Sequence, residues 1–269
     1  MPVIEYVEDR MESEELLERL CPPVRNWFKD KFPDFTEPQK VAIPRILNGE
    51  HLLLCSPTGS GKTLTAFLTI IDDLVRRSLD GSLPDAVQCV YISPIKALAN
   101  DIEKNLMGPL GEIKERYLPS RAKEIKVGLR TGDTPQSERE KMLRKPPHIL
   151  ITTPESLGLG LASKRFRPIL DQMKWFIIDE MHSLVPTKRG THLSLSMALM
   201  DSVVSSDVQR IGISATMEPL DAVAEFLVAS DSRESDVEPQ KVAIAKISGD
   251  RELDLDIILP SQRFSSIPV

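Results

Sequence analysis

The sequence predicts an α/β domain with a mostly parallel central sheet and helices on both faces. Two observations predict it. Short, near-continuous apolar runs alternate with longer stretches of helical periodicity, the pattern of strands buried on both sides. Two of these runs, HLLLC at 51–55 and WFII at 175–178, lead into a glycine-rich loop and an acidic pair. The carboxyl ends of parallel strands are where open sheets of this kind hold ligands.

In chain order, residues 11–31 read as a helical preface, with Leu16, Leu17 and Leu20 at helical spacing and a break at Pro22 and Pro23. Strands are expected at 51–55, 88–92, 125–129, 148–152, 175–178 and 208–213, with further candidates at 241–247 and 253–259. The helices between them include 62–77, 96–117, 134–143 and 193–203. The last stretch, SQRFSSIPV, reads as a linker or a cut end. The expected division is a helical extension over 1–31, one nucleotide-binding domain over 32–260, and the tail over 261–269.

Composition narrows the class. The chain has 269 residues, 41% hydrophobic and 28% charged, as in ordinary globular domains. No apolar run reaches 18 residues, so no membrane-spanning helix is expected. The start, MPVIEYVEDRMESEE, lacks the basic and apolar regions of a signal peptide, and a cytoplasmic protein is expected. Cys21, Cys55 and Cys89 are odd in number and far apart, which suits buried thiols better than disulfides or a metal site. The net charge of −6 argues against a passive nucleic-acid coat. Acid is concentrated at 1–20 (seven acidic, two basic groups), whereas 94–145 holds twelve basic and eight acidic groups. Contacts to phosphates are therefore expected in the middle of the chain.

The sharpest local feature is HLLLCSPTGSGKTLTAFL. An apolar strand enters a loop of Ser56, Pro57, Thr58, Gly59, Ser60 and Gly61, and Lys62 and Thr63 open a helix. Glycines let backbone amides turn inward around phosphate oxygens, and a helix N-terminus adds oriented N–H groups. Lys62 can reach the outer phosphates and the Thr63 hydroxyl can hold Mg²⁺. The pattern G-x-x-x-x-G-K-[ST] is met except at its first position, where Ser56 replaces Gly.

The second feature is MKWFIIDEMHSL, in which a strand ends in Asp179 and Glu180. Asp179 can hold a phosphate-bridging Mg²⁺, and Glu180 can orient and deprotonate a water. Taken alone, His182 is an ordinary polar residue. The third, IGISATMEP, puts Ser214 and Thr216 after a strand. Their hydroxyls either bond to the 179–182 loop or start a helix before Glu218.

GSGKT, DEMH and SAT, in that order, resemble motifs I, II and III of superfamily 2 helicases of the DExH type. FTEPQ resembles the Q-motif, SPIKALAND motif Ia, RTGDT the GDT element and TTPESL motif Ib. KRGTHLSLSMAL, after motif II, resembles the large helicase-related (Lhr) family through Arg189, Gly190, His192, Leu193 and Leu195. The resemblance covers about residues 32–217. It implies a RecA-like P-loop domain, the first of two, with ATP and Mg²⁺ as cofactors. Gln39 would read the adenine, and His182, Ser214 and Thr216 would couple the nucleotide site to movement. Pro94, Lys96, Ala97, Arg130, Gly132, Thr153, Pro154, Glu155 and Arg189 would meet single-stranded nucleic acid, DNA favoured over RNA.

The family implies 3′ to 5′ translocation, arginine fingers from a second RecA-like domain downstream, and a prokaryotic cytosol or nucleoid. No Q-x-x-G-R-x-x-R run occurs, so the chain reads as the first half of a motor that binds ATP but turns it over poorly. Lys96 and Arg130 can also be read as ordinary solvated charges. Two rival functions share parts of the pattern. A small-molecule kinase or GTP switch would use the phosphate loop, although no N-K-x-D base reader occurs. An ATP-gated scaffold would use the acidic preface for partner contacts.

Overall fold

A computed structural model describes residues 2–215, 217–228 and 240–247. Strand β1 (Val3–Tyr6) precedes helices α1 (Ser13–Arg19), α2 (Pro22–Lys31) and α3 (Glu37–Leu47). Then follow β2 (His51–Cys55), α4 (Lys62–Asp80), β3 (Cys89–Ile92), α5 (Lys96–Tyr117), β4 (Val127–Arg130) and α6 (Gln136–Arg144). The remainder is β5 (Ile149–Thr152), α7 (Pro154–Leu161), a 3₁₀ turn (Arg167–Leu170), β6 (Trp175–Ile178), α8 (Met181–Leu184) and α9 (Lys188–Asp201), then β7 (Gln209–Ser214), α10 (Leu220–Val228) and β8 (Lys241–Lys246).

The strands form one sheet in the order β1-β8-β2-β7-β6-β3-β5-β4, and every described pair is parallel. This is the parallel α/β arrangement that the apolar runs predict, with helices on both faces. Alternation along each strand feeds two cores. Leu52 and Leu54 of β2, Tyr91 of β3 and Ile211 and Ile213 of β7 pack with α1 to α5. Leu53 and Cys55, Val90 and Ile92, and Phe176 and Ile178 pack with α7 to α10. Leu53 is fully buried, so Leu53→Ala would remove about 2–5 kcal/mol.

Local chemistry sets the helix ends. Pro22 and Pro23 occupy the first turn of α2, where their fixed φ suits a helix start and the missing N–H has no cost. The predicted break is thus also a beginning. Thr36 and Gln39 form a capping box at the start of α3. Thr187 caps α9, its hydroxyl accepting from the Gly190 N–H, so α9 begins five residues before the apolar periodicity that marks it in sequence.

The sequence did not indicate β1. Its four residues are mostly exposed at the sheet edge, and its partner β8 is more than 230 residues away, so no local pattern reports the pairing. The three cysteines are buried free thiols, as expected. Burial pushes Cys55 up to about 11 and Cys21 up to about 12, where they are inert at neutral pH. The strand candidate at 253–259 and the tail at 261–269 lie outside the described residues.

Candidate functional site

Parallel pairing brings the carboxyl ends of β2, β7 and β6 to one edge. Cys55 of β2 is in register with Ser214 of β7, and Gly212 of β7 with Ile178 of β6. The phosphate loop and the acidic pair are therefore two strands apart, about 10 Å along the sheet. Between them lies an open cavity of about 360 Å³ lined by Thr58, Gly59, Gly61, Lys62, Thr63, Leu64, Asp179 and Glu180.

The loop keeps its shape through glycines and hydroxyls. Gly59 and Gly61 have φ of +79° and +85°, a region that side chains rarely adopt. Ser56, which stands where the usual pattern has glycine, is fully buried, and its hydroxyl pairs with that of Ser60 at 2.7 Å. The Thr36 hydroxyl donates to the Ser60 carbonyl (3.1 Å). Gln39 is 3% exposed; its Oε1 accepts from the Thr36 N–H (2.9 Å), and a Cβ added at Gly61 would lie 3.5 Å from its Nε2. Gln39 therefore braces α3 against the loop.

Lys62 opens α4 and folds back into the loop, donating to the Ser56 carbonyl and to that of Pro57 (2.8 Å). Burial lowers its pKa, and Glu180 and Asp179 oppose that shift. Asp179 is 6% exposed, and burial raises its pKa. Its Oδ2 accepts from the Tyr91 phenol and its Oδ1 from the Glu180 N–H (2.9 Å). Glu180 is the one described non-glycine residue with positive φ (+50°), a strained conformation of the kind that collects at functional sites.

Behind the acidic pair, the His182 Nδ1 accepts from the Ala215 N–H (3.3 Å) and lies 3.2 Å from the Ser214 hydroxyl, which also takes the His182 N–H. This places the ring proton on Nε2, which faces Glu180 Oε2 at 3.3 Å. Of the two readings for Ser214, bonding to the 179–182 loop holds. Thr216 lies outside the described residues.

The residues expected at a nucleic-acid face lie along the other half of the same edge, after the adjacent strands β3, β5 and β4. Arg189 at the start of α9 donates to both oxygens of Glu155 and to the Pro94 carbonyl, joining the loops after β3 and β5. Lys96 pairs with Asp133 (2.6 Å), and its stem passes Gly132. Thr153 caps α7 by accepting from the Ser156 N–H, with Pro154 in the first turn and Glu155 beside it. Ala97 lies in the first turn of α5. Arg130 is 9% exposed, with its guanidinium 4.6 Å from the centre of the Phe166 ring.

Tyr91, Thr36 and Arg139 also support these loops, roles that the motifs do not predict. Arg139 holds the Thr131 and Gly132 carbonyls at 3.1 and 2.9 Å. For Tyr91 a signal existed: a phenol inside a fully buried parallel strand needs a partner.

Thr63 and Asp179 offer hard oxygen donors in one cavity, which fits a Mg²⁺ held by one or two protein oxygens together with phosphates. Among the described residues no group of three His, Cys, Asp or Glu is placed to hold a metal by itself.

A phosphate loop facing an acidic pair across one end of a parallel sheet defines a RecA-like P-loop domain. The sequence pattern of the DEAD/DEAH box helicases matches residues 36–224, and the chain belongs to that family. It is 48% identical over 259 residues to the ATP-dependent helicase Lhr-Core of Methanothermobacter thermautotrophicus, a match covering 96% of this chain and 30% of the relative. It is 43% identical to the Lhr-Core of Methanocaldococcus jannaschii, over 98% of this chain and 30% of that one. The structure of Mycobacterium smegmatis helicase Lhr bound to ssDNA and AMP-PNP is similar, with a TM-score of 0.76, 40% identity, and coverage of 87% of this chain and 28% of that one. The chain thus spans about 30% of the length of these two curated relatives. The likeness to the Lhr family that Arg189–Leu195 suggests holds. Among the described residues no helix is long and apolar enough to cross a membrane.

Proposed function

We propose that this chain is the first ATP-binding motor domain of an ATP-dependent helicase that moves on single-stranded nucleic acid. The observation that carries the reading is the single cavity shared by Lys62, Thr63, Asp179 and Glu180. Lys62 would leave its two carbonyls for the outer phosphates of ATP, and the amides of 59–63 would hold the inner ones. Thr63 and Asp179 would hold Mg²⁺, which supplies charge neutralisation at the phosphates. Glu180 would accept the proton of a water whose oxygen attacks the γ-phosphorus as the bond to the β–γ bridging oxygen breaks. Gln39, already against the loop, would read the adenine. His182 joins Glu180 to Ser214, a route by which hydrolysis would be felt at the sheet edge.

DNA is the favoured strand, with 3′ to 5′ movement, and the ssDNA-bound M. smegmatis relative supports DNA. The strand would cross the loops after β3, β5 and β4. Exposed ion pairs such as Lys96–Asp133 are weak in water, so a phosphate can displace the acid. A second RecA-like domain would supply arginine fingers, which contribute about 10³–10⁵ to turnover. The 269-residue chain alone is therefore expected to bind a fluorescent ATP analogue while hydrolysing ATP poorly. Its affinity for ssDNA should fall with salt, with a log–log slope of about 0.7 per phosphate contact. Vigorous DNA-stimulated hydrolysis by this chain, or salt-independent ssDNA binding, would contradict the reading.

A further inference from the structure

We propose that Tyr91 is a positioning residue for the metal-binding carboxylate, an inference that rests on the nucleotide reading above. Tyr91 lies on β3, next to β6 in the sheet, and is fully buried. Its ring stacks on Phe67 of α4, with centroids 5.0 Å apart and planes at 24°. Its hydroxyl donates to Asp179 Oδ2. The Thr63 hydroxyl interacts with the same phenol. One hydroxyl thus connects the two oxygen donors on opposite walls of the cavity.

The geometry explains how Asp179 is oriented. A carboxylate on a strand end can rotate about χ2, a broad torsion that backbone geometry does not fix. Here Oδ1 accepts from the Glu180 N–H and Oδ2 from the Tyr91 phenol, so rotation would break two hydrogen bonds. Removing the phenol leaves only the hydrogen bond to Oδ1 opposing that rotation. A cation needs its protein donors in fixed places, Mg²⁺ above all, because it demands near-ideal octahedral geometry. Tyr91 lies two residues before the SPIKALAND segment and points at the site from beneath the sheet end.

Tyr91→Phe tests this with little risk to the fold, because the ring and its contact with Phe67 remain. A fluorescent ATP analogue is titrated onto the unaltered chain and the variant, once in EDTA and once with Mn²⁺, and Mn²⁺ occupancy is read separately by electron paramagnetic resonance. In EDTA the two should bind the analogue equally. With Mn²⁺ the variant should lose about tenfold in metal-dependent affinity, the change that about 1.4 kcal/mol produces. Thermal melting identifies a merely structural role, which would lower stability and metal-free affinity together. If the variant matches the unaltered chain with Mn²⁺, or loses equally in EDTA, the inference is overturned and the nucleotide reading stands. If the unaltered chain gains no affinity from Mn²⁺, both are overturned.

Discussion

Glu180→Gln should reduce phosphate release by about 10³-fold while leaving ATP affinity within about twofold. Of the two carboxylates lining the cavity, Glu180 is the one the proposed function leaves without a metal, and it is more open to water than Asp179. General bases contribute about 10²–10⁴ to rate. Gln keeps the size, so the strained backbone at φ +50° and the neighbouring Asp179 hydrogen bond from the Glu180 N–H are retained. The amide can still meet His182, so the sheet-edge network should persist. Slow-turnover phosphate assays, paired with analogue binding, separate the two effects. Unchanged turnover would move the base elsewhere.

Lys62→Ala should weaken ATP binding by about 100-fold or more and abolish hydrolysis. Lys62 is 8% exposed, and its ammonium contacts two loop carbonyls and has both carboxylates near it, so its charge is less screened than in water. Deleting it removes a charge-assisted contact to phosphate that water does not replace. It also leaves the Ser56 and Pro57 carbonyls without this donor, a cost of about 1–3 kcal/mol to the fold. Melting measurements therefore accompany the titration. If ATP affinity collapses while partner binding and stability persist, the scaffold reading gains. If affinity is unchanged, the phosphate loop is not the nucleotide site.

Much of this site was legible because its signals are local. Gly59, Gly61, Lys62 and Thr63 sit within five residues, and the need for positive φ explains both glycines. Asp179 and Glu180 end an apolar strand, and parallel pairing alone brings such ends to one edge. What the sequence hid is what crosses strands. The Tyr91 phenol sits in an apolar run and reads as core until β3 is seen beside β6. The ion pairs of Lys96 with Asp133 and Arg189 with Glu155 join loops 37 and 34 residues apart, which no spacing rule reports. Arg130 reads as a surface cation, yet β4 carries it under the edge and onto Phe166. The start of α9 was hidden because Thr187 sets it, ahead of the first apolar residue that faces the core.

One metal nucleotide should bridge the phosphate loop and the acidic pair. A crystal of this chain grown with AMP-PNP and Mn²⁺ tests it most directly. The expected result is an anomalous peak ligated by the Thr63 hydroxyl with Asp179 beside it, and Lys62 turned from its two carbonyls onto the phosphates. A nucleotide bound elsewhere, or Lys62 still folded onto Ser56 and Pro57 with the analogue in place, would contradict it.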